Sequence, residues 1–220
     1  VNKFQFENYG IPQKRHRIVI VGIKKGSHKR FEVPKELPRF LKNPLTCEKA
    51  FADIKPHHPN QKPTKNSEIV KKRLEYIKEG GNIWQAQKNG KIPDEYRLKV
   101  KTLHMSNIYR RIHSKEPAYT VTGSGGGGTH MYHWDEPRAL TNRERARLQT
   151  FPDEFVFAGS KESVRKQLGM AVPVKGAQII LEAVLKTFAG QDYESVSANI
   201  GYFRKNIINQ LESNDPIVAA

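Results

Sequence analysis

Apolar positions along the chain change period several times, and each period predicts an element. Arg17 to Ile23, RIVIVGI, is an almost unbroken β-branched run. It predicts a strand buried on both faces, typical of a parallel sheet in an α/β domain. Pro34, Pro38, Pro44, Pro56, Pro59 and Pro63 then break any long element. One short helix is predicted inside that passage, TCEKAFADI, with Thr46 as its cap. SEIVKKRLEYIKEGG predicts another, with Ser67 as cap, Val70, Leu74 and Ile77 on one face, and Gly80 as the stop. From Gly80 to Trp134 the pattern is irregular, with strand-like pieces such as AYTVTG. Helical signals return at LTNRERARLQTFP, where Thr141 and Glu144 form a T-x-x-E capping box and Pro152 ends the element. SKESVRKQLG reads as a capped helix stopped at Gly169, and PVKGAQIILEAVLKTF as a long buried helix. In the tail, Val196, Ile200, Phe203, Ile207 and Leu211 fall on one stripe, suited to packing on its own domain. No internal repeat is visible.

Charge adds a partner to this outline. The 220 residues carry 38 Lys+Arg against 22 Asp+Glu, a formal net charge of +16. Residues 1–30 hold eight basic residues and the acid Glu7, and residues 97–115 hold six and no acid. Residues 188–220 hold two against four acids. Such clustering is what a polyanion footprint needs, and nucleic acid is the commonest polyanion. The plainer reading is a solvated basic face without a partner. No apolar run reaches the roughly 18 residues of a membrane span, and no secretory signal pattern is present. The single cysteine, Cys47, excludes an internal disulfide framework and a cysteine-based zinc finger. A cytoplasmic, DNA-associated protein without a membrane partner is expected.

Two stretches carry candidate chemistry. In PQKRHR, Gln13, Arg15 and Arg17 alternate, so an extended chain would project all three from one strand end. Guanidinium forks there suit phosphate or a polarised base oxygen; the plainer reading is a basic edge that discourages aggregation. In YTVTGSGGGGTHMYHW, Gly123 to Gly128 contains five glycines and one serine. No helix pattern follows, so phosphate cradling at a helix N-terminus does not fit. Close approach of backbone to a groove fits better, with a free linker as the alternative. Flanking Tyr119, Tyr132 and Trp134 argue against the linker. His130 and His133 have a ligand-like spacing, but without a cysteine beside them the pair is not read as a metal site.

The third stretch, EPRALTNRERARLQTFPDEFVFAGS, makes the chain recognisable. With YGIPQKRHRIVIVG before it and RKQLGMAVPVKGAQIILEAVL after it, the chain resembles the bacterial DNA (cytosine-5) methyltransferases over residues 5–190. The order resembles that family's last three conserved blocks, with the variable target recognition domain between the first two. Thr120 and Val121 resemble the family's Thr-Leu or Thr-Val pair, and LTCEKAFADI its short helix after the first block.

The resemblance implies an α/β fold: the C-terminal part of a Rossmann-like S-adenosylmethionine-dependent methyltransferase domain plus a mixed, irregular target recognition domain. Residues 1–29 would be a strand remnant of the catalytic domain and 30–160 the DNA-reading domain. Residues 161–190 would be the returning helix and 191–220 a C-terminal extension helix. The family's Phe-x-Gly-x-Gly cofactor turn, Pro-Cys nucleophile and Glu-Asn-Val acid are absent. Cys47 has no preceding proline, and Glu7-Asn8-Tyr9 stands too close to the first block to be the acid. The implied protein is therefore a C-terminal half, inactive without an N-terminal half from the same gene or a separate subunit. Its substrate would be a flipped cytosine in double-stranded DNA, within a restriction–modification system. Arg17 would contact cytosine O2, and Arg15 a phosphate or the catalytic loop. Gln13 would support the DNA-side strand end. Arg110 or Arg111 would read a guanine, with Thr120, Gly125, Gly126, Gly127 and Gly128 at the groove. Met170, Ala171 and Val172 would lie near the S-adenosyl-L-methionine, with Met170 where the family usually has Asn. A sequence-specific DNA-binding module without catalysis is the competing reading; Arg17 beside the strand argues against it. A generic RNA-binding protein conflicts with the three ordered blocks.

Overall fold

The computed structural model describes residues 1–99, 105–126 and 128–200. In chain order the elements are β1 (Asn2–Gln5), β2 (Gln13–Lys14), β3 (His16–Val19), β4 (Val33–Pro34), α1 (Pro38–Lys42), α2 (Cys47–Phe51), α3 (Glu68–Glu75), α4 (Ile83–Lys88), β5 (Ala118–Tyr119), α5 (Asn142–Leu148), α6 (Lys161–Met170), α7 (Val174–Ala189) and β6 (Ser195–Val196). They fall into two compact units. The smaller comprises Val1–Gln5, His16–Lys35 and Gln178 onward; the larger comprises Phe6–Arg15 and Glu36–Ala177. This division cuts across the boundaries expected from sequence: residues 6–15 and 161–177 belong with the larger unit.

In the smaller unit, β1 and β3 form an antiparallel ribbon with Asn2 opposite Val19 and Gln5 opposite His16. The strand expected to be buried in a parallel sheet is neither buried nor parallel. Ile18 is 64% and Ile20 74% exposed. A two-stranded ribbon cannot cover both faces of an apolar strand. β4 pairs antiparallel with β6, Val33 opposite Val196. Tyr193 Oη donates to the Glu32 carbonyl (2.8 Å) and Ser195 Oγ to the Glu32 carboxylate (2.6 Å), closing that pair. The expected stripe of the tail is thus broken, since Val196 lies in a strand; Phe203, Ile207 and Leu211 lie outside the described residues.

α7 also departs from expectation. Ile180, Ala183 and Thr187 are buried, but Leu181, Leu185 and Phe188 stand exposed on the opposite stripe. The stretch Lys161–Ala189 has the length and hydropathy of a membrane span. It is interrupted between Met170 and Val174, leaving α7 with 16 residues, short of the roughly 20 needed.

The larger unit follows its caps. Thr46 Oγ1 accepts the Lys49 amide (3.3 Å) at α2. The amides of Cys47 and Glu48 donate to the carbonyls of Glu116 (2.9 Å) and Ser114 (3.0 Å), so the helix start is tied to a distant loop. α3 starts after Ser67, whose side chain makes no capping bond, and it ends at Glu75 rather than Gly80. Gly80 still serves as a left-handed turn, at φ +72°. α4 was not foreseen; Asn82 and Gln85 form a capping box there. The Thr141–Glu144 box opens α5, which stops at Leu148, before Pro152. Ser160 caps α6 by accepting the Ser163 amide (3.2 Å).

α6 runs through Gly169 rather than stopping there. The glycine serves close packing: an added Cβ would sit 2.0 Å from the Gly123 backbone nitrogen. Gly123 is tight in return, its own Cβ position lying 3.0 Å from Lys166 Cα. Two glycines thus let a helix backbone rest on the segment after β5. Gly169→Ala is expected to destabilise the chain by about 1–3 kcal/mol through overpacking, read as a lower midpoint in urea denaturation; an unchanged midpoint would show that the contact yields.

Candidate nucleic-acid interface

The larger unit is organised around Thr120–Gly123, the segment leading into the glycine-rich loop. β5 pairs parallel with β2, Gln13 opposite Ala118, which brings the Gln13 side chain under Val121. Gln13 Oε1 accepts the Val121 amide (2.7 Å), and its Nε2 donates to the Leu148 carbonyl (3.1 Å) and Gln149 Oε1 (3.0 Å). Arg15 donates to the carbonyls of Val121 (3.1 Å) and Gly169 (3.1 Å). Arg145 donates to the Thr122 carbonyl (3.3 Å) and Arg165 to the Gly123 carbonyl (3.3 Å). Thr120 Oγ1 donates to the Lys14 carbonyl (2.9 Å). Val121, Thr122 and Gly123 are therefore each held by a side chain, and Thr120 uses its own to hold the Lys14 carbonyl. Gln149 extends the net by donating to the Ala171 carbonyl (3.2 Å), while its own carbonyl accepts the Val174 amide (3.0 Å).

Arg145 is 1% exposed, and burial pushes its guanidinium pKa down to about 10. Its Nε and Nη2 have no hydrogen-bond partner among the described residues. Beyond Gly123, the loop is a folded turn. Thr129 donates through its amide (2.9 Å) and hydroxyl (2.8 Å) to the Gly126 carbonyl. The Tyr109 amide donates to the Gly128 carbonyl (2.8 Å). Gly125 lies against the Arg165 guanidinium, where a Cβ would come within 2.3 Å of Cζ. Gly126 has φ +101° and open space where its side chain would be. Gly127 lies outside the described residues.

Sequence-derived candidates separate sharply by burial. Gln13 is 0% exposed, so it supports the site and cannot touch DNA. Arg15 is buried and its fork is spent on Val121 and Gly169, which removes it as a phosphate ligand. The alternation that suggested a shared projection fails because the chain kinks: Gln13 N donates to Ile11 O (2.7 Å) and Arg15 N to Gln13 O (2.9 Å), one after another. Arg17, in the smaller unit, is exposed on β3, with Nη1 donating to the His16 carbonyl (2.7 Å). Arg111 is also internal: it donates to the carbonyls of Leu74 (2.8 Å), His133 (2.9 Å) and Glu136 (3.2 Å), so it is no base reader. Arg110 is presented instead. Its guanidinium lies 4.4 Å from the Tyr119 ring centroid, and Tyr119 Oη donates to the Arg110 carbonyl (3.1 Å). Met170 (84% exposed) and Val172 (55%) stand open at the α6–α7 junction, with Ala171 between them.

Three side chains of this net, Arg145, Gln149 and Arg165, escaped the sequence reading. The signal was present for two of them: Arg145 and Gln149 recur one helical turn apart beside Leu148, on the apolar face of α5. Cys47 sits in the core with its thiol pushed up to about 12 by burial, so it is not a nucleophile near neutral pH. His133 Nδ1 accepts the amides of Asp135 (3.3 Å) and Glu136 (3.1 Å), which makes it a turn residue. Among the described residues no group of three or more His, Cys, Asp and Glu is placed to hold a metal ion.

Known proteins extend this geometry. The family model for C-5 cytosine-specific DNA methylases matches residues 2–186. The type II methyltransferase M.BbvI of Brevibacillus brevis is 56% identical over 195 residues, covering 89% of this chain and 50% of that protein. M.NgoFVII of Neisseria gonorrhoeae is 40% identical over 200 residues, covering 89% and 51%. The chain thus spans about half the length of these relatives. A solved structure described as a DNA modification methyltransferase encoded within an E. coli prophage matches with a TM-score of 0.53 at 20% identity. That match covers 85% of this chain and 59% of the other, and it shows the fold: mixed α/β, of methyltransferase type.

Two outcomes follow from the buried net. Gln13→Leu would strand the Val121 amide and the Leu148 carbonyl, at about 1–3 kcal/mol for each unpaired group; denaturant titration measures it, and a loss near zero would show that water replaces the amide. His130 is held neutral, with its pKa lowered to about 4 by burial and then by Arg145 and Arg165. Its folded pKa lies below its unfolded value of about 6.5, so the unfolded chain binds the extra proton between those values. Stability from neutral His130 is complete above pH ~6.5 and is lost as pH falls through about 4. His130→Phe should flatten the stability profile in that window, and an unchanged slope would assign it to other groups.

Proposed function

The chain belongs to the C-5 cytosine-specific DNA methylases, and from that premise we propose that it is the DNA-reading, base-holding portion of such an enzyme in a type II restriction–modification system. The observation that carries this reading is the pinning of Val121–Gly123 by Gln13, Arg15, Arg145 and Arg165, which fixes the entry to a glycine turn. A groove reader needs backbone held in place at a site without side-chain bulk, and this arrangement supplies both.

The substrate is a cytosine swung out of the duplex, because its reacting edge is inaccessible in the stack. Arg17 carries an exposed guanidinium that takes O2 of the flipped base and holds charge developing there. Arg110, lying on Tyr119, reads a guanine at O6 and N7. Thr120, Gly125, Gly126 and Gly128 line the approach of the loop to the groove.

S-adenosyl-L-methionine, when bound, supplies the electrophilic methyl group. This chain offers it the exposed apolar side chains of Met170 and Val172 around Ala171. The Ala171 amide and carbonyl are already engaged, by the Gln167 carbonyl (3.0 Å) and Gln149 Nε2 (3.2 Å). In this reading the cofactor's polar contacts, the nucleophilic thiolate and the proton donor come from an N-terminal half, encoded in the same gene or as a separate subunit. That half covers the apolar positions Ile18, Ile20, Leu181, Leu185 and Phe188 left open on the smaller unit. The complex works on double-stranded DNA in the bacterial cytoplasm.

A tritiated-methyl assay tests the reading. The chain alone should transfer nothing to DNA; mixed with the N-terminal half of the 56%-identical relative it should methylate duplex. Arg17→Ala in the mixture should cut turnover by about 100-fold or more while duplex affinity changes little, since the contact forms only after the base flips. Methylation by the isolated chain, abolished by Cys47→Ser, would overturn the assignment.

A further inference from the structure

The larger unit also holds a cleft of about 680 Å³ whose rim includes Lys78, Lys88, Lys91 and Arg110. Its carboxylates are occupied. Glu116 pairs with Lys14 (2.7 Å), and Glu79 accepts the Ser114 amide and lies 3.6 Å from His113. Lys78, Lys88 and Lys91 are exposed, and among the described residues none of the three lies within ion-pair distance of a carboxylate. The cleft therefore keeps an uncompensated positive rim.

Its two sides are fixed to each other. The Gly80 amide donates to the Ile112 carbonyl (3.1 Å), the Arg111 amide to the Gly81 carbonyl (2.9 Å) and the Ile83 amide to the Ile108 carbonyl (3.4 Å). Lys78 precedes this turn, and Lys88 ends α4, which begins at its far side. The lysines and Arg110 are thus carried on one hydrogen-bonded frame. The two residue types suit different tasks. A lysine ammonium is a point charge that tolerates a phosphate in many positions, whereas the Arg110 fork, held over the Tyr119 ring, suits a planar acceptor pair.

We propose that this cleft seats duplex DNA, with Lys78, Lys88 and Lys91 neutralising phosphates beside the base that Arg110 reads. The inference rests on the DNA-reading role above and adds three affinity residues that carry no sequence information.

The test measures duplex affinity of the chain across salt concentrations. One DNA is selected from a random-sequence pool by the unmodified chain; the other is the unselected pool. The variant K78Q/K88Q/K91Q should lose about 2.7 from the log–log salt slope, at about 0.9 per contact, and should keep its preference for the selected DNA. Arg110→Ala should change the slope by about one contact at most and lose about tenfold or more of the preference. Inorganic phosphate at matched ionic strength should not compete; competition would identify a small-anion pocket instead. Should the triple variant fail to fold, Lys88→Gln alone should shift the slope by about 0.9. A lysine variant with an unchanged slope, in a chain that still binds DNA steeply with salt, overturns the cleft assignment and leaves the methylase reading standing. A chain that binds no DNA sinks both.

Discussion

Side-chain donors from separate parts of the chain converge on the backbone carbonyls of Val121, Thr122 and Gly123. Arg15 comes from the end of β2, Arg145 from α5 and Arg165 from α6. Gln13 adds the one acceptor, for the Val121 amide. This convergence solves a packing problem. A segment without a long strand partner leaves its polar backbone groups unpaired, and burying them so is costly. Guanidinium groups reach further than neighbouring strands could, so a two-residue β5 is enough. The Gly123–Gly169 contact depends on the same arrangement, because α6 brings both Arg165 and the carbonyl that Arg15 needs.

The solution changes how the net charge of +16 is understood. Much of the arginine faces inward. Arg143 is 0% exposed and donates to the carbonyls of Pro59 (2.9 Å) and Pro152 (2.9 Å); Arg111 and Arg15 are spent likewise. Carbonyl dipoles stabilise a buried guanidinium without a full counter-charge, which explains how so many fit with few internal carboxylates. Arg145 shows the limit, with two nitrogens unpartnered among the described residues and a lowered pKa. What remains for a polyanion is chiefly lysine together with the few arginines that stay out, Arg17 and Arg110 among them. Counting basic residues therefore overstates the footprint, and only their placement locates it.

Local signals in the sequence carried over well where the physics is local. The Thr141–Glu144 box and the Thr46 and Ser160 caps form as their spacing implies, because each is settled within four residues. The same rule was available for Asn82 and Gln85 but lay hidden in a stretch without apolar period. Gly169 misled because a glycine after an apolar helix resembles a stop, while here it answers to Gly123, far away in the chain. Arg111 and Arg110 were indistinguishable in sequence. Their roles divide on which side of the Tyr132 pairing each faces, and that pairing joins Arg111 to Tyr132, far apart in the chain. Of the site, the glycine turn and the basic entry were legible; the net that holds them was not, since it is built from long-range side-chain-to-carbonyl bonds.

The apolar run RIVIVGI is the most instructive departure. Its composition reads as a sheet interior, yet Ile18 and Ile20 are among the most exposed apolar residues described. The outward stripe of α7, Leu181, Leu185 and Phe188, behaves the same way within the same unit. Single exposed apolar side chains are ordinary on any protein, but here a strand and a helix of one unit both leave theirs open. The larger unit leaves exposed apolar side chains too, Met170 and Val156 among them, but it has a buried core of its own beneath them; in the smaller unit propensity and burial disagree. A consistent sequence shows such disagreement where a surface is meant to be covered. The larger unit closes its own core, as Leu74, Ile83, Leu148 and Leu168 at 0% exposure attest. The larger unit is thus a self-sufficient scaffold, while Arg17 belongs to the unit that leaves its apolar strand and helix stripe open.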